Sequence, residues 1–274
     1  MKRIIGILAG LSLFAGAVYA APTALPGDGV ANSVHDMNVV GIAGISADVQ
    51  GRICAFCHTP HHAMDPNDPA VIAGGFDYLP LWSHNLTTNT TFTAYNSATF
   101  DGKNNTGIAA DPLIGPSRLC MSCHDGTVAP DQHYGNAGGT KFNAAADDTF
   151  GHISVGLNGN FSNDHPIGFI FKDTVDADNA HYDAAQGVRG FKFTGADVTV
   201  GGTAVYPANS HGFQMPIASV LYPAADGNLY MTCATCHDVH NKDNATNTGG
   251  AAGLNYLVYG DQNGSKLCLA CHDK

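Results

Sequence analysis

Cys54-Ala55-Phe56-Cys57-His58-Thr59-Pro60-His61 and Cys233-Ala234-Thr235-Cys236-His237-Asp238-Val239-His240 share one frame: two cysteines three apart, a histidine directly after, and a second histidine three residues on. The first five positions recur at Cys120-Met121-Ser122-Cys123-His124 and Cys268-Leu269-Ala270-Cys271-His272, so four copies use all eight cysteines of the chain. On one helical turn, positions i, i+3 and i+4 lie on the same face. Two thiols then reach the two vinyl groups at one porphyrin edge while the imidazole swings under the ring to the iron, which is the c-type haem attachment pattern. The spacing predicts four haem c groups, held by Cys54 and Cys57, Cys120 and Cys123, Cys233 and Cys236, and Cys268 and Cys271, with His58, His124, His237 and His272 as iron ligands.

Other uses of cysteine explain less. A disulfide framework needs no histidine after every second cysteine. Paired zinc knuckles do not account for the extra histidines or for pairs 32 to 110 residues apart. A thioredoxin-like pair stands once, beside a βαβ pattern, and no such pattern is visible.

Each iron takes a sixth ligand or keeps an open position, and this choice separates an electron carrier from an enzyme. Of 14 histidines, ten lie outside the motifs: His35, His61, His62, His84, His133, His152, His165, His181, His211 and His240. That supply favours two histidines per iron, with Met64, Met121, Met215 and Met231 as the alternative donors and core filling as their ordinary role. His61 and His240 leave the chain too near His58 and His237 to reach the opposite face of the same porphyrin, so each is free to bind a neighbouring iron. His62 stands next to His61 and can replace it there. Pro166 biases His165 toward an extended backbone. His35 precedes the first cysteine by 19 residues. His84, beside Trp82, is a further alternative, and the remaining histidines read as loop residues.

Lys2 and Arg3, the apolar run from Ile4 to Val18, and Val18-Tyr19-Ala20 before Ala21 read as a signal peptide over 1–20, followed by one domain over 21–274. Export to the periplasm or the outside of the cell is expected. Losing the two leader cations takes the net charge from −11 to −13, which argues against nucleic acid and anionic membranes as partners. No later stretch is long and apolar enough to span a bilayer.

Charged residues make up only 13% of the chain, and Gly, Asn, Thr and Ser interrupt every apolar run. The expected fold is mostly irregular and loop-rich, cored by haem, with short helices at the C-x-x-C-H turns and a minor β-hairpin. Thr88 to Phe100 reads as one or two strands. The segment 126–230 between the second and third motifs reads as a long insertion. Within it, Phe191-Lys192-Phe193, a turn at Thr194 to Asp197 and Val198 to Val205 read as the hairpin.

Cys54 to His61, Pro80-Leu81-Trp82-Ser83-His84, Leu119 to Gly126, Asp164-His165-Pro166 and Cys233 to His240 together resemble the multihaem cytochromes of metal-reducing prokaryotes, among them the extracellular tetrahaem cytochromes that polymerise into filaments. The resemblance implies bis-histidine haems in a continuous array, with His35, His61, His165 and His240 as distal ligands. It also implies that one ligand can come from an adjacent subunit. His272 stands two residues from the end of this sequence, so its partner is expected upstream or in another molecule, and His35 of a neighbour is one such donor.

The function expected is electron transfer, in an extracellular chain or cytochrome polymer, with redox proteins or extracellular acceptors as partners. A periplasmic shuttle is the alternative within that class. A multihaem oxyanion reductase is the alternative outside it, disfavoured by the scarcity of cations, ten Lys and Arg once Lys2 and Arg3 are removed from the 12. The chain is expected not to be an enzyme.

Overall fold

The computed structural model describes residues 28–39, 44–97, 100, 111–134, 136–141, 155–162, 164–180, 191–206, 214–240, 257–260 and 263–273. The leader and His152, His181 and His211 lie outside the described residues. Loops and turns dominate, with five short α-helices among the described residues: α1 (Pro69–Ala73), α2 (Pro116–His124), α3 (Phe171–Ala180), α4 (Cys233–Cys236) and α5 (Lys266–Leu269). The sheet is one antiparallel pair, β1 (Tyr222–Pro223) and β2 (Leu229–Tyr230), with Tyr222 opposite Tyr230.

Each motif sits on a helical turn, as the spacing requires. Cys54–Phe56 forms a 3₁₀ turn, α2 carries the second motif, α4 the third, and α5 leads into the fourth. Helix α2 starts at Pro116, whose fixed φ suits the first helical position. Gly115 before it has φ +56, and a Cβ there would meet the Tyr222 ring at 2.7 Å, so both conformation and space call for glycine. The helix stops where Asp125, only 2% exposed, turns its carboxylate onto Thr87, Asn89 and the Thr127 amide.

Helix is not confined to the motifs. Phe171–Ala180 is helical because Phe171, Thr174 and Val175 recur at i, i+3 and i+4 and are buried on one face, while Lys172 and Asp176 pair at 2.5 Å on the other. Thr88 to Ser97 forms no strand and contributes only an isolated bridge from Thr93 to Asn160.

The hairpin lies elsewhere than at 191–205. Phe191 and Phe193 do point inward with Lys192 outward, but Phe191 bridges His272 and the Lys192 amide donates to the Cys271 carbonyl. Asp197 takes the Thr194 amide and hydroxyl and the Thr203 hydroxyl, and this cap winds Gly195–Val198 into a 3₁₀ turn. The actual hairpin turns at Asp226-Gly227, with Gly227 at φ +83 and Asp226 accepting from the Asn228 amide.

The main apolar cluster joins Phe169, Phe171, Val175, Phe191, Phe193, Tyr206, Ile217, Leu221 and Met231, and packs Cys236 and Cys271 at its edge. Tyr206, 1% exposed, donates its hydroxyl to the Thr235 carbonyl at 2.8 Å and so pins the third motif. A second cluster of Leu113, Met121 and Phe161 carries Cys120 and Cys233. Met121 and Met231 are thus core residues.

The first motif is tied to the loop that follows the second by a polar knot. Asp48 receives Arg52 Nε at 3.0 Å and Nη2 at 2.6 Å, and pairs with His133 Nε2 at 3.2 Å; the His133 ring packs 4.5 Å from that of Phe56. Two outcomes are expected. Tyr206→Phe should lower unfolding free energy by about 1 kcal/mol in denaturant titration, the worth of one hydrogen bond. The Arg52 guanidinium holds the Asp48 carboxyl well below the usual carboxylate range. Its stabilisation is therefore full above about pH 4 and shrinks as pH falls below that value. Asp48→Asn should lower the melting temperature at pH 7 by a few degrees, and the gap to the parent should narrow as pH drops from about 4 toward 2.

Candidate haem-attachment sites

At three motifs the histidine amide donates to the carbonyl of the first cysteine: His58 to Cys54 at 2.8 Å, His237 to Cys233 at 3.1 Å and His272 to Cys268 at 3.0 Å. The second motif lies wholly inside α2. This one-turn winding brings both sulfurs and the imidazole of each motif to one side. No two of the eight cysteines are bonded to each other; Cys54 and Cys268 are exposed and the other six half-buried.

Burial pushes the Cys57 and Cys236 thiols up to about 11 and Cys271 up to about 12. Cys120 is held well above its ordinary value by its hydrogen bond to Cys233 and by burial. At these four thiols burial favours neutral sulfur, whereas the hydrogen bond with Cys120 lowers the Cys233 thiol. A thioether is neutral, whereas zinc requires thiolates. Among the described residues, no three His, Cys, Asp or Glu side chains converge as a bare-metal site.

The motifs adjoin one another in chain order. The segment 80–84 joins the first two: the Leu81 carbonyl accepts from the Thr59 amide at 3.0 Å, the Ser83 amide donates to the Cys57 carbonyl at 2.9 Å, and His84 Nε2 lies 3.4 Å from Cys123 Sγ. Helix α2 packs on α4, where Cys120 meets Cys233 and the Cys233 amide donates to Ser117 Oγ at 3.0 Å. Cys236 and Cys271 share the aromatic cluster.

The ring nitrogens sort the histidines. His58 Nδ1 meets the Pro80 carbonyl at 2.8 Å and His165 Nδ1 meets the Pro166 carbonyl at 3.0 Å, an arrangement that leaves Nε2 available to a metal. His84 has Nδ1 2.7 Å from the Asn85 carbonyl and Nε2 3.0 Å from the Ala129 carbonyl; burial favours the neutral ring, whose single N–H donates to one of the two while the other nitrogen keeps its lone pair. The His133 nitrogens lie against the Asp131 carbonyl and Asp48. His62 stands edge-on to Tyr134 at 4.9 Å, and its neighbour His61 is exposed.

The distal candidates fall near particular motif histidines. The rings of His58 and His240 lie 6.0 Å apart, and those of His35 and His124 lie 6.1 Å apart. His35 thus stands against His124 of its own chain. The ring against His272 is that of Phe191, at 5.4 Å. His165 is open to solvent yet crowded by protein atoms; this desolvation lowers its pKa, and the charge of the nearby His272 lowers it further.

Haem attachment fits these residues on a second count. Trp82, 7% exposed and 6.2 Å ring to ring from His58, has a buried indole N–H with no protein acceptor. Arg118 Nε is a second such donor, two residues before Cys120. Buried donors call for acceptors, and haem carries two carboxylates. Sequence spacing did not single out Arg118, although Arg52, Arg118 and Lys266 each stand two residues before the first cysteine of a motif.

A family model described as a doubled CXXCH motif matches residues 223–274, which contain the third and fourth motifs. No match was found among curated proteins. The chain carries the features of a multihaem c-type cytochrome, and its motifs point to covalently bound haem c. Among the described residues no helix is long and apolar enough to cross a membrane.

Proposed function

We propose that the chain is a secreted, single-domain tetrahaem cytochrome that passes electrons along four bis-histidine haems and catalyses no substrate transformation. The observation that supports this most is the contact of the motifs in chain order, Cys57 toward Cys123, Cys120 on Cys233 and Cys236 beside Cys271. Adjoining attachment turns suit a relay in which every centre has a close neighbour. Haem supplies the one-electron iron couple. The protein's part is to hold the centres close, to supply imidazole on both faces from His58, His124, His237 and His272 with His35, His61, His165 and His240, and to pack Cys120, Cys233, Cys236 and Cys271 against apolar clusters. Two strong donors per iron leave no vacant site for a substrate, which favours transfer over oxyanion reduction.

Partners in this reading are other redox proteins, extracellular acceptors and further copies of the chain in a polymer, reached after export by the 1–20 leader. The test is direct. The purified protein should contain four covalent haems, all low-spin when oxidised, and all should be reducible by a low-potential donor. A high-spin ferric signal in the parent protein would place it with the reductases, and material sheared from cells should show filaments for a polymer and none for a shuttle.

A further inference from the structure

We propose that His240 completes the iron held by His58, and that His35 completes the iron held by His124, both within one chain. The inference rests on the haem reading above and adds which histidine serves which iron. Two imidazoles on opposite faces of one metal sit with their centres about 6.3 Å apart, from metal–nitrogen bonds of about 2 Å on each side plus the half-width of each ring. The observed separations are 6.0 Å for His58 with His240 and 6.1 Å for His124 with His35. Face-to-face stacking in direct contact would bring the centres much closer. Each ring plane contains the ligand–metal axis, so any angle between the planes is allowed, and the observed 12° and 60° both qualify.

The surroundings agree. His58 is turned by the Pro80 carbonyl so that Nε2 faces away from the backbone. His240 is three residues beyond His237 and cannot reach the far face of its own motif's haem, so a ligand role takes it to another iron, and the ring it approaches is that of the first motif. Its amide is held by the Asp238 carboxylate at 3.0 Å, and Asp238 is buried. The two donor segments also adjoin each other, since a Cβ built on Gly29 comes within 3.8 Å of the His240 carbonyl.

His35 is carried on a fixed turn rather than a loose arm. Ser33 Oγ accepts the His35 amide at 3.1 Å, and Asp36, 3% exposed, accepts the amides of Asn32 and Asn38 at 3.0 and 3.1 Å. The four histidines therefore form one group around the two motifs that segment 80–84 already joins. A neighbouring molecule is not required to complete the second haem.

The test is made on the full-length holoprotein. His240→Ala and His35→Ala should each convert one iron per chain from low-spin to high-spin by electron paramagnetic resonance, against none in the parent, and added imidazole should restore the low-spin state. To identify the iron, each change is repeated where the partner haem cannot attach. His240→Ala should add no high-spin signal with Cys54→Ala and Cys57→Ala, and His35→Ala none with Cys120→Ala and Cys123→Ala. If His240→Ala matures poorly, His240→Met carries the test and should raise the midpoint potential of one haem only. A high-spin signal that persists in the haem-deleted background, or a wholly low-spin His240→Ala protein, overturns the pairing. A parent without four low-spin haems overturns the functional reading instead, and the two failures are distinct.

Discussion

One backbone hydrogen bond organises this protein: the amide of a motif histidine donating to the carbonyl of a cysteine four residues back. It appears at His58, His237 and His272, and it fixes which side of the turn the two sulfurs and the imidazole share. The turns are short, three or four residues in the first and third motifs, far below the length at which a helix is stable alone. They persist because each is held from outside. Ser83 holds the first through the Cys57 carbonyl, Pro116 and Asp125 bracket the second, and Tyr206 holds the third through the Thr235 carbonyl.

Much of this was legible in the residues. Covalent attachment demands a local spacing, so the four sites and their histidines stand out without knowledge of the fold. The loop-rich character was equally plain, because a chain with 33 glycines and few charged residues cannot sustain long amphipathic helices. The hairpin was misplaced because Phe191-Lys192-Phe193 shows true strand alternation while its neighbours carry a cap, Thr194 with Asp197, that favours a tight helical turn. The Asp226-Gly227 pair, a strong short-range turn signal, marked the real one.

Ligand partners are a different matter. The spacing of His240 excludes its own motif's iron but is silent on which distant iron it approaches. That depends on segment 28–39 lying near 240 and on segment 80–84 bridging the first two motifs, both long-range facts. The approach of the His35 ring to that of His124, 6.1 Å away, is likewise a long-range fact that no local pattern announces.

The meeting of the second and third motifs has a kinetic side. The Cys233 amide and Ser117 Oγ are separated by 116 positions, and closing a free loop of that length costs about 4 kcal/mol of chain entropy. Between them, Gly168 donates to the Met231 carbonyl and Met231 donates to the Phe169 carbonyl, at 2.8 and 3.0 Å. This clip pinches off 169–230 as a side lobe and leaves a span roughly half as long to be closed, which trims the cost by about 0.6 kcal/mol. With that clip closed, the chain between Cys120 and Cys233 has the shorter span to bridge.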